Sequence, residues 1–145
     1  MKDLSIIVPL LNEEESLAEL YRSVAEVCQK NQLDFEVVFV NDGSTDNSQQ
    51  VLDTLYEQFP NNIELIVFRK NYGKAAALSA GFEQAEGRYV MTMDADLQDD
   101  PEEIPLLMGK LEEGYDLVSG WKFKRYDPLD KTLPSKIFNK TVSLL

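Results

Sequence analysis

The sequence has 145 residues, of which 43% are apolar and 28% charged, so it is long enough to fold as one soluble domain with a hydrophobic core. It contains no run of eighteen apolar residues and no recognisable signal peptide, and we expect a protein of cytosolic character. The net charge is −12, and so acidic a body lacks the clustered cations that binding to nucleic acid requires.

The sequence contains no histidine, so the commonest general base and the commonest zinc ligand are both missing. Carboxylates must therefore carry out any acid–base chemistry, or the reaction must not need it. The single cysteine, Cys28, excludes an internal disulfide. It falls on the apolar side of a predicted helix, which favours a buried thiol over a reactive one.

The first half of the chain alternates between strand and helix patterns. Residues 4–10 are a near-continuous apolar run, as in a parallel strand buried on both faces, and residues 35–40 are a second. Asn12 is predicted to cap the helix between them, with three glutamates in its first turn. The apolar positions of this helix are Leu17, Leu20, Tyr21, Val24, Val27 and Cys28. After a polar turn at residues 41–46, a second helix is expected to bury Val51, Leu52, Leu55, Tyr56 and Phe59.

The second half continues the alternation. Residues 63–68 form the third predicted strand, and Gly73 opens a helix of small residues that can pack close to a sheet. Residues 88–93 form the fourth strand. In the helix that follows, Pro101 suits the first turn and Asp100 the cap. The inner face of that helix is expected to consist of Leu106, Leu107 and Leu111.

A short fifth strand at residues 115–119 completes the pattern, which predicts an α/β fold. We expect an open, mostly parallel sheet with helices on both faces. Ligands of such sheets bind beyond the carboxyl ends of the strands. The polar clusters around Asn12, Asp42 and Asp94 each follow a strand, so the functional site is expected at this edge of the sheet.

The last part of the chain, residues 122–145, differs in charge from the rest, with 6 Lys and Arg against 2 Asp and Glu. Such a basic, partly apolar tail can approach an anionic membrane surface or a lipid phosphate, although a solvated polar extension is the alternative. From Pro134 an amphipathic stretch begins, and it is interrupted where the sequence stops at Leu145. We therefore expect a fragment of a longer protein, or a face that docks on another molecule or forms a homo-oligomer.

Asp94 and Asp96 lie two residues apart where the fourth strand ends. Carboxylates at the end of a buried strand are costly without a partner, and a divalent cation that holds a diphosphate is a suitable one. A calcium EF-hand is excluded, because the sixth and twelfth positions counted from Asp94 are Asp99 and Pro105. A phosphatase with an aspartyl nucleophile is a weaker alternative, since its Asp-x-Asp is expected after the first strand.

Four short motifs follow one another along the chain, namely Val8-Pro9-Leu10-Leu11-Asn12-Glu13-Glu14, Val40-Asn41-Asp42-Gly43-Ser44-Thr45-Asp46, Asn71-Tyr72-Gly73-Lys74 and Asp94-Ala95-Asp96-Leu97-Gln98. Together they resemble the family 2 inverting glycosyltransferases, whose fold is the nucleotide-sugar-binding GT-A domain. The continuation to Pro101-Glu102, with Ser119-Gly120-Trp121-Lys122 and Arg125, is most similar to the polyprenyl-phosphate (dolichyl-phosphate) mannosyl- and glucosyltransferases.

The resemblance implies roles for individual residues. The implied nucleotide-binding residues are Pro9, Asn12, Glu13, Asp42, Lys74 and Asp94. Asp42 would contact the base or ribose, and Lys74 the diphosphate, although Lys74 could also be an ordinary exposed lysine. A Mg²⁺ or Mn²⁺ cofactor would be held by Asp94, Asp96 and Gln98. Asp96 and Arg125 are the implied catalytic residues, and the acceptor phosphate would be bound by Lys122, Arg125 and Lys131.

The implied reaction is metal-dependent, inverting transfer of a hexose from a UDP- or GDP-sugar to a polyprenyl phosphate at the cytoplasmic face of a membrane. Residues 1–121 would form the catalytic domain and residues 122–145 the acceptor part. A lipid phosphate already carries a nucleophilic oxyanion. A hydroxyl acceptor of a cell-surface polysaccharide would instead need a base, for which Asp99 and Asp100 are the candidates. Both acceptors stay open, as does a donor-binding module that lacks its acceptor half.

Overall fold

The computed structural model describes residues 1–115. The predictions for the rest of the fifth strand, for Lys122, Arg125 and Lys131, and for the amphipathic stretch lie outside the described residues. The chain forms two compact units, the first comprising Met1–Leu97 and the second beginning at Gln98. No helix in the described part is long and apolar enough to cross a bilayer.

The first unit is built on a sheet of four strands, β1 (Leu4–Leu10), β2 (Phe35–Asn41), β3 (Ile63–Val67) and β4 (Tyr89–Thr92). Their order is β3-β2-β1-β4, and every pair is parallel. The two longest strands, β1 and β2, lie in the middle and are almost completely buried, as their apolar runs predict. The open parallel sheet is therefore confirmed.

Helices α1 (Leu17–Lys30), α2 (Ser48–Gln58) and α3 (Lys74–Gln84) connect the strands. Helix α3 packs on one face, where its Ala77 joins a core with Ile7 and Val38. On the opposite face, Phe35 of β2 contacts the ring of Tyr21 in α1, with centroids 6.4 Å apart. Tyr21 also stacks against Phe59, just beyond α2, at 4.8 Å. Helices thus cover both faces of the sheet, which confirms the predicted fold class.

The predicted start of α1 was wrong, because the helix begins at Leu17 rather than after Asn12. Asn12 has a φ of 55°, outside the range of an N-cap residue, and its side chain binds the loop that follows β2. The prediction for the buried side of α1 is confirmed: Cys28, for example, is fully buried. Burial raises the pKa of the Cys28 thiol to about 11, as expected for an unreactive cysteine.

In α2, the predicted burial of Leu52 and Leu55 is confirmed, whereas Tyr56 and Phe59 are 43% and 40% exposed. Phe59 still contacts an aromatic ring of α1, so its exposed fraction reflects its position at the end of the helix rather than a lack of packing.

The second unit contains a 3-10 turn, Pro101–Glu103, followed by helix α4 (Ile104–Glu112). The predicted cap is confirmed, because the Asp100 carboxylate accepts a hydrogen bond of 2.9 Å from the Glu102 amide. The predicted inner face was wrong for Leu106, which is 71% exposed, while Ile104 and Met108 are buried. Residues four apart share one side of a helix, and the residue midway between them points away from that side.

At the amino-terminal end of the sheet, a buried polar network ties β1 and β2 to the turn before β4. The Ser5 hydroxyl donates to the Glu36 carboxylate at 2.5 Å, and the Glu86 amide donates to the same oxygen at 2.8 Å. The Gly87 amide donates to Ser5 Oγ at 2.7 Å. Gly87 allows this close approach, since a Cβ there would lie 2.5 Å from the Ser5 nitrogen.

Candidate active site

A cavity of about 370 Å³ lies at the carboxyl ends of the strands of the first unit. Its lining consists of Pro9, Leu10, Leu11, Glu13, Asp42, Asn71, Gly73, Lys74, Asp94, Ala95 and Asp96. The structure therefore brings together most of the residues that the sequence suggests for nucleotide and metal. Asn12 is not part of this lining, and Gln98 belongs to the second unit.

Asp42 is a buried carboxylate that holds the loop before α3. Its Oδ1 accepts a hydrogen bond of 2.8 Å from the Tyr72 amide, and its Oδ2 accepts one of 3.1 Å from the Gly73 amide. Only 5% of Asp42 is exposed. Because Gly73 immediately precedes α3, these two bonds fix the backbone from which Lys74 extends.

Gly43, the next residue, allows two loops to come together. It has a φ of 79°, and a Cβ there would lie 2.4 Å from the Lys70 carbonyl carbon. A side chain would therefore be strained by the backbone conformation and would also collide with the loop that Asp42 holds. Asp42 and Gly43 together join the end of β2 to the segment before α3.

Asn12 joins the loop after β1 to the same region. Its Oδ1 accepts hydrogen bonds from the amides of Thr45 and Asp46, at 2.8 and 3.2 Å. Its own amide donates to Ser44 Oγ at 2.9 Å, and the Glu13 amide donates to Ser48 Oγ at 2.9 Å. The structure thus gives Asn12 a role in shaping the loops, and the predicted role in nucleotide binding stays a prediction.

Lys74 and Asp94 form an ion pair across the cavity lining, with Lys74 Nζ donating to Asp94 Oδ1 at 2.7 Å. The lysine side chain is 65% exposed and the aspartate side chain 28% exposed. Lys74 is the first residue of α3. Asp94 lies two residues beyond the end of β4, immediately after Met93.

Among residues 1–115, the lining carries four carboxylates, from Glu13, Asp42, Asp94 and Asp96, against one ammonium, from Lys74. The pKa of Glu13 is raised by burial and then by repulsion from Asp96, Asp46 and Asp94. The described part of the lining is therefore net negative.

Within residues 1–115, no group of three or more acidic, histidine or cysteine side chains is arranged as a ready metal cluster. Mg²⁺ commonly needs only one or two protein carboxylates, because substrate phosphates and waters supply its other ligands. Asp94 and Asp96 line one cavity and offer the hard oxygen atoms that Mg²⁺ and Mn²⁺ prefer. The donor set therefore fits a divalent cation that arrives together with a diphosphate.

Solved structures similar to this chain include two that hold a nucleotide or a nucleotide sugar. A mannosyltransferase from Pyrobaculum calidifontis in complex with GDP-mannose and Mn²⁺ superposes with a TM-score of 0.73, at 27% identity over 86% of this chain and 36% of that one. Staphylococcus aureus TarS in complex with UDP gives 0.60, at 27% identity over 88% of this chain and 38% of that one. The fold of the chain is the GT-A glycosyltransferase fold.

Comparison of the sequence with models of protein families identifies one family within this fold. The model described as "Glycosyl transferase family 2" matches residues 5–143, and the chain belongs to that family. An undecaprenyl-phosphate 4-deoxy-4-formamido-L-arabinose transferase from Pseudomonas fluorescens is 43% identical over 95% of this chain and 41% of its own length. The chain thus spans about two fifths of this relative. The resemblance to polyprenyl-phosphate sugar transferases is confirmed.

Proposed function

We propose that the cavity is the donor site of a metal-dependent glycosyltransferase that transfers a sugar from a nucleoside diphosphate to a polyprenyl phosphate. The observation that carries the proposal is the pairing of an acidic cavity with a nucleotide-sugar fold. A diphosphate is itself negatively charged, so four carboxylates would repel it without cations between them. The proposal therefore requires a divalent cation, and it is supported by the presence of Asp94 and Asp96 in the lining of one cavity.

Asp94 and Asp96 are the residues that would hold this cation. When bound, the Mg²⁺ or Mn²⁺ would neutralise negative charge that develops on the departing diphosphate, as a Lewis acid. Lys74 lines the same cavity and would add a direct contact to the diphosphate. The amino-terminal turn of α3 carries no side-chain cap, and its amides favour the same charge. The sequence resemblance also implies Gln98 as a metal ligand, and this role stays a prediction.

The remaining lining suits the rest of the donor. Pro9, Leu10 and Leu11 give the cavity an apolar wall against which a base or sugar ring can pack. Asp42 uses both carboxylate oxygens to hold backbone amides, so any contact of Asp42 with the base or ribose would be made in addition to those bonds.

In the proposed reaction, an oxygen of the acceptor phosphate attacks the anomeric carbon and the bond from that carbon to the diphosphate breaks. The products are a polyprenyl glycosyl phosphate and the nucleoside diphosphate, with inversion at the anomeric carbon. A phosphate oxyanion is already deprotonated, so no side chain has to remove a proton from it. This chemistry is compatible with a chain that contains no histidine.

The acceptor is the part of the proposal that rests on relatives. The Pseudomonas fluorescens protein is named for transfer to undecaprenyl phosphate, and a polyprenyl phosphate is the acceptor we propose here. Lys122, Arg125 and Lys131 are the proposed phosphate contacts, because arginine and lysine bind phosphate oxygens strongly. Residues 122–145 would then work at the cytoplasmic surface of the membrane, next to a catalytic domain of residues 1–121.

The residues that line the cavity are compatible with more than one sugar and more than one nucleotide. The family resemblance of the sequence implies a hexose, whereas the Pseudomonas fluorescens relative is named for a 4-deoxy-4-formamido-L-arabinose, which is a pentose. We retain UDP and GDP as candidate carriers, since solved structures of the same fold hold one or the other.

Calorimetric titration of the chain with UDP and GDP, each with and without Mn²⁺, tests the donor site directly. We expect binding that requires Mn²⁺ and is lost in Asp96→Asn. The matched control is Asp53→Asn, which makes the same chemical change on the exposed side of α2, where Asp53 accepts a hydrogen bond from Gln49. Equal binding by Asp96→Asn and the wild-type chain would show that this cavity is not the donor site.

A further inference from the structure

We propose that Lys74 and a divalent cation compete for the Asp94 carboxylate, and that the donor diphosphate ends this competition by giving the ammonium a second partner. The inference rests on the proposed function and goes beyond it, because it makes Lys74 a positioning residue that couples metal binding to nucleotide binding. It starts from the 2.7 Å contact between Lys74 Nζ and Asp94 Oδ1.

Simultaneous binding of both cations to one carboxylate would be costly. An ammonium and a divalent cation at one carboxylate repel each other, and the repulsion grows with the charge of the metal ion. Metal binding to Asp94 therefore weakens the contact between Asp94 and the ammonium. The ion pair itself costs little to break, since a lysine that is 65% exposed gains only a small net energy from such a contact.

The backbone around Lys74 allows this movement without disturbing the site. Asp42 holds the amides of Tyr72 and Gly73, so the start of α3 is fixed while the lysine side chain is free to change rotamer. The ammonium can thus leave Asp94 and remain at the cavity. A diphosphate bound by the same metal would present oxygen atoms to it, near the amino-terminal turn of α3.

This arrangement makes the metal and the nucleotide bind cooperatively. Metal alone displaces Lys74 and brings no new anion for the ammonium, whereas metal with a nucleoside diphosphate brings phosphate oxygens as a new partner. Because binding free energies are reciprocal, the nucleotide strengthens metal binding by the same factor as the metal strengthens nucleotide binding. The chain would thus discriminate against binding metal in the absence of donor.

Substitution of Lys74 by methionine should shift the two affinities in opposite directions. Free Mn²⁺, measured by electron paramagnetic resonance, should bind Lys74→Met about two- to fivefold more tightly than the wild-type chain, because an exposed competing ion pair is removed. At saturating Mn²⁺, UDP or GDP should bind the variant about tenfold more weakly, because a charged hydrogen bond to the diphosphate is lost. Lys74→Arg, which keeps the charge, should bind Mn²⁺ alone as the wild-type chain does.

Two further variants separate the possible failures. Lys70→Met removes the same charge from a residue outside the cavity lining, where Lys70 stacks over Tyr72, and should change neither affinity strongly. Mn²⁺ binding that is unchanged, weaker or undetectable in Lys74→Met overturns the competition. Tighter Mn²⁺ with unchanged nucleotide affinity overturns the transfer to the diphosphate. If Asp94→Asn leaves both ligands bound as before, the donor site itself is wrong.

Discussion

Asp42 shows most clearly how a single residue acts in this protein. Its position after β2 suggests a contact with the nucleotide, yet both of its carboxylate oxygens accept hydrogen bonds from the loop before α3. A buried carboxylate that holds two amides is strongly tied to its loop, because charge-assisted hydrogen bonds are stronger than neutral ones. Asp42 therefore fixes the backbone from which Lys74 extends.

Asp42→Asn should destabilise the chain by about 1–3 kcal/mol, because an amide nitrogen would face a backbone N–H that it cannot accept. It should also weaken binding of Mn²⁺ with inorganic pyrophosphate, which has neither base nor ribose. Calorimetry with pyrophosphate and with UDP or GDP separates the two roles. Normal affinity for pyrophosphate with reduced affinity for the nucleotide would show that Asp42 recognises the base or ribose instead.

Glu13 lines the cavity and makes a pH-dependent contribution to stability. Its pKa is raised above 4.5, first by burial and then by repulsion from Asp96, so the folded state binds this proton more tightly than the unfolded state does. The stability contributed by this group is therefore fully present below pH 4.5 and is lost as the pH rises through the raised pKa.

Glu13→Gln should consequently raise the thermal midpoint in metal-free buffer at pH 7 and leave it unchanged at pH 4. The expected gain is about a few tenths of a kcal/mol, since the side chain is only partly buried. Thermal unfolding at the two pH values measures it, with Glu26→Gln on the exposed side of α1 as a control for the general loss of charge. A lower midpoint for Glu13→Gln at pH 7 would contradict the argument.

At the scale of elements, helix α3 both contributes to the cavity lining and packs closely on the sheet. Its amino-terminal turn lies at the cavity, and its small residues let it approach the sheet closely. A Cβ on Gly81 would lie 2.4 Å from Ile7 Cγ2 in the middle of β1. The sequence predicts this helix of small residues, but the partner of each one depends on how the helix lies on the sheet.

Gly81→Ala tests this packing. The higher helix propensity of alanine is worth about 1 kcal/mol, whereas forcing a methyl group into a packed core costs about 1–3 kcal/mol, so we expect a net loss of stability. Chemical denaturation measures the change. Gly109→Ala in α4 is the matched control, because a Cβ there meets no atom of residues 1–115 within 4 Å and should be neutral or stabilising. A stabilised Gly81→Ala would show that α3 does not pack so closely.

At the scale of the whole molecule, the buried polar network and the proposed donor cavity lie at opposite ends of the sheet. The network of Ser5 and Glu36 lies at the amino-terminal end of the strands, and the cavity lies at their carboxyl ends. Glu36 is 3% exposed and accepts hydrogen bonds from a hydroxyl and an amide. Nothing in the sequence analysis singled out this residue.

Glu36→Ala should therefore destabilise the first unit by about 3 kcal/mol, because the Ser5 hydroxyl and the Glu86 amide lose a buried partner. Affinity for UDP or GDP with Mn²⁺ should stay within about twofold of the wild-type value at a temperature where the variant is folded, since distant sites act independently. Denaturant titration and calorimetry measure the two quantities. A large loss of affinity in the folded variant would show that the two ends are coupled.

The sequence by itself determined the alternation of strands and helices, the edge of the sheet at which the polar motifs gather, and the family. Apolar runs and helical spacing are local signals, and carboxyl ends of parallel strands must share one edge. Only the tertiary structure decided what each motif residue contacts. Asn12 and Asp42 bind backbone amides from distant loops, and Lys74 pairs with Asp94 twenty positions later. Such contacts depend on how loops fold over one another, which no local pattern of residues specifies.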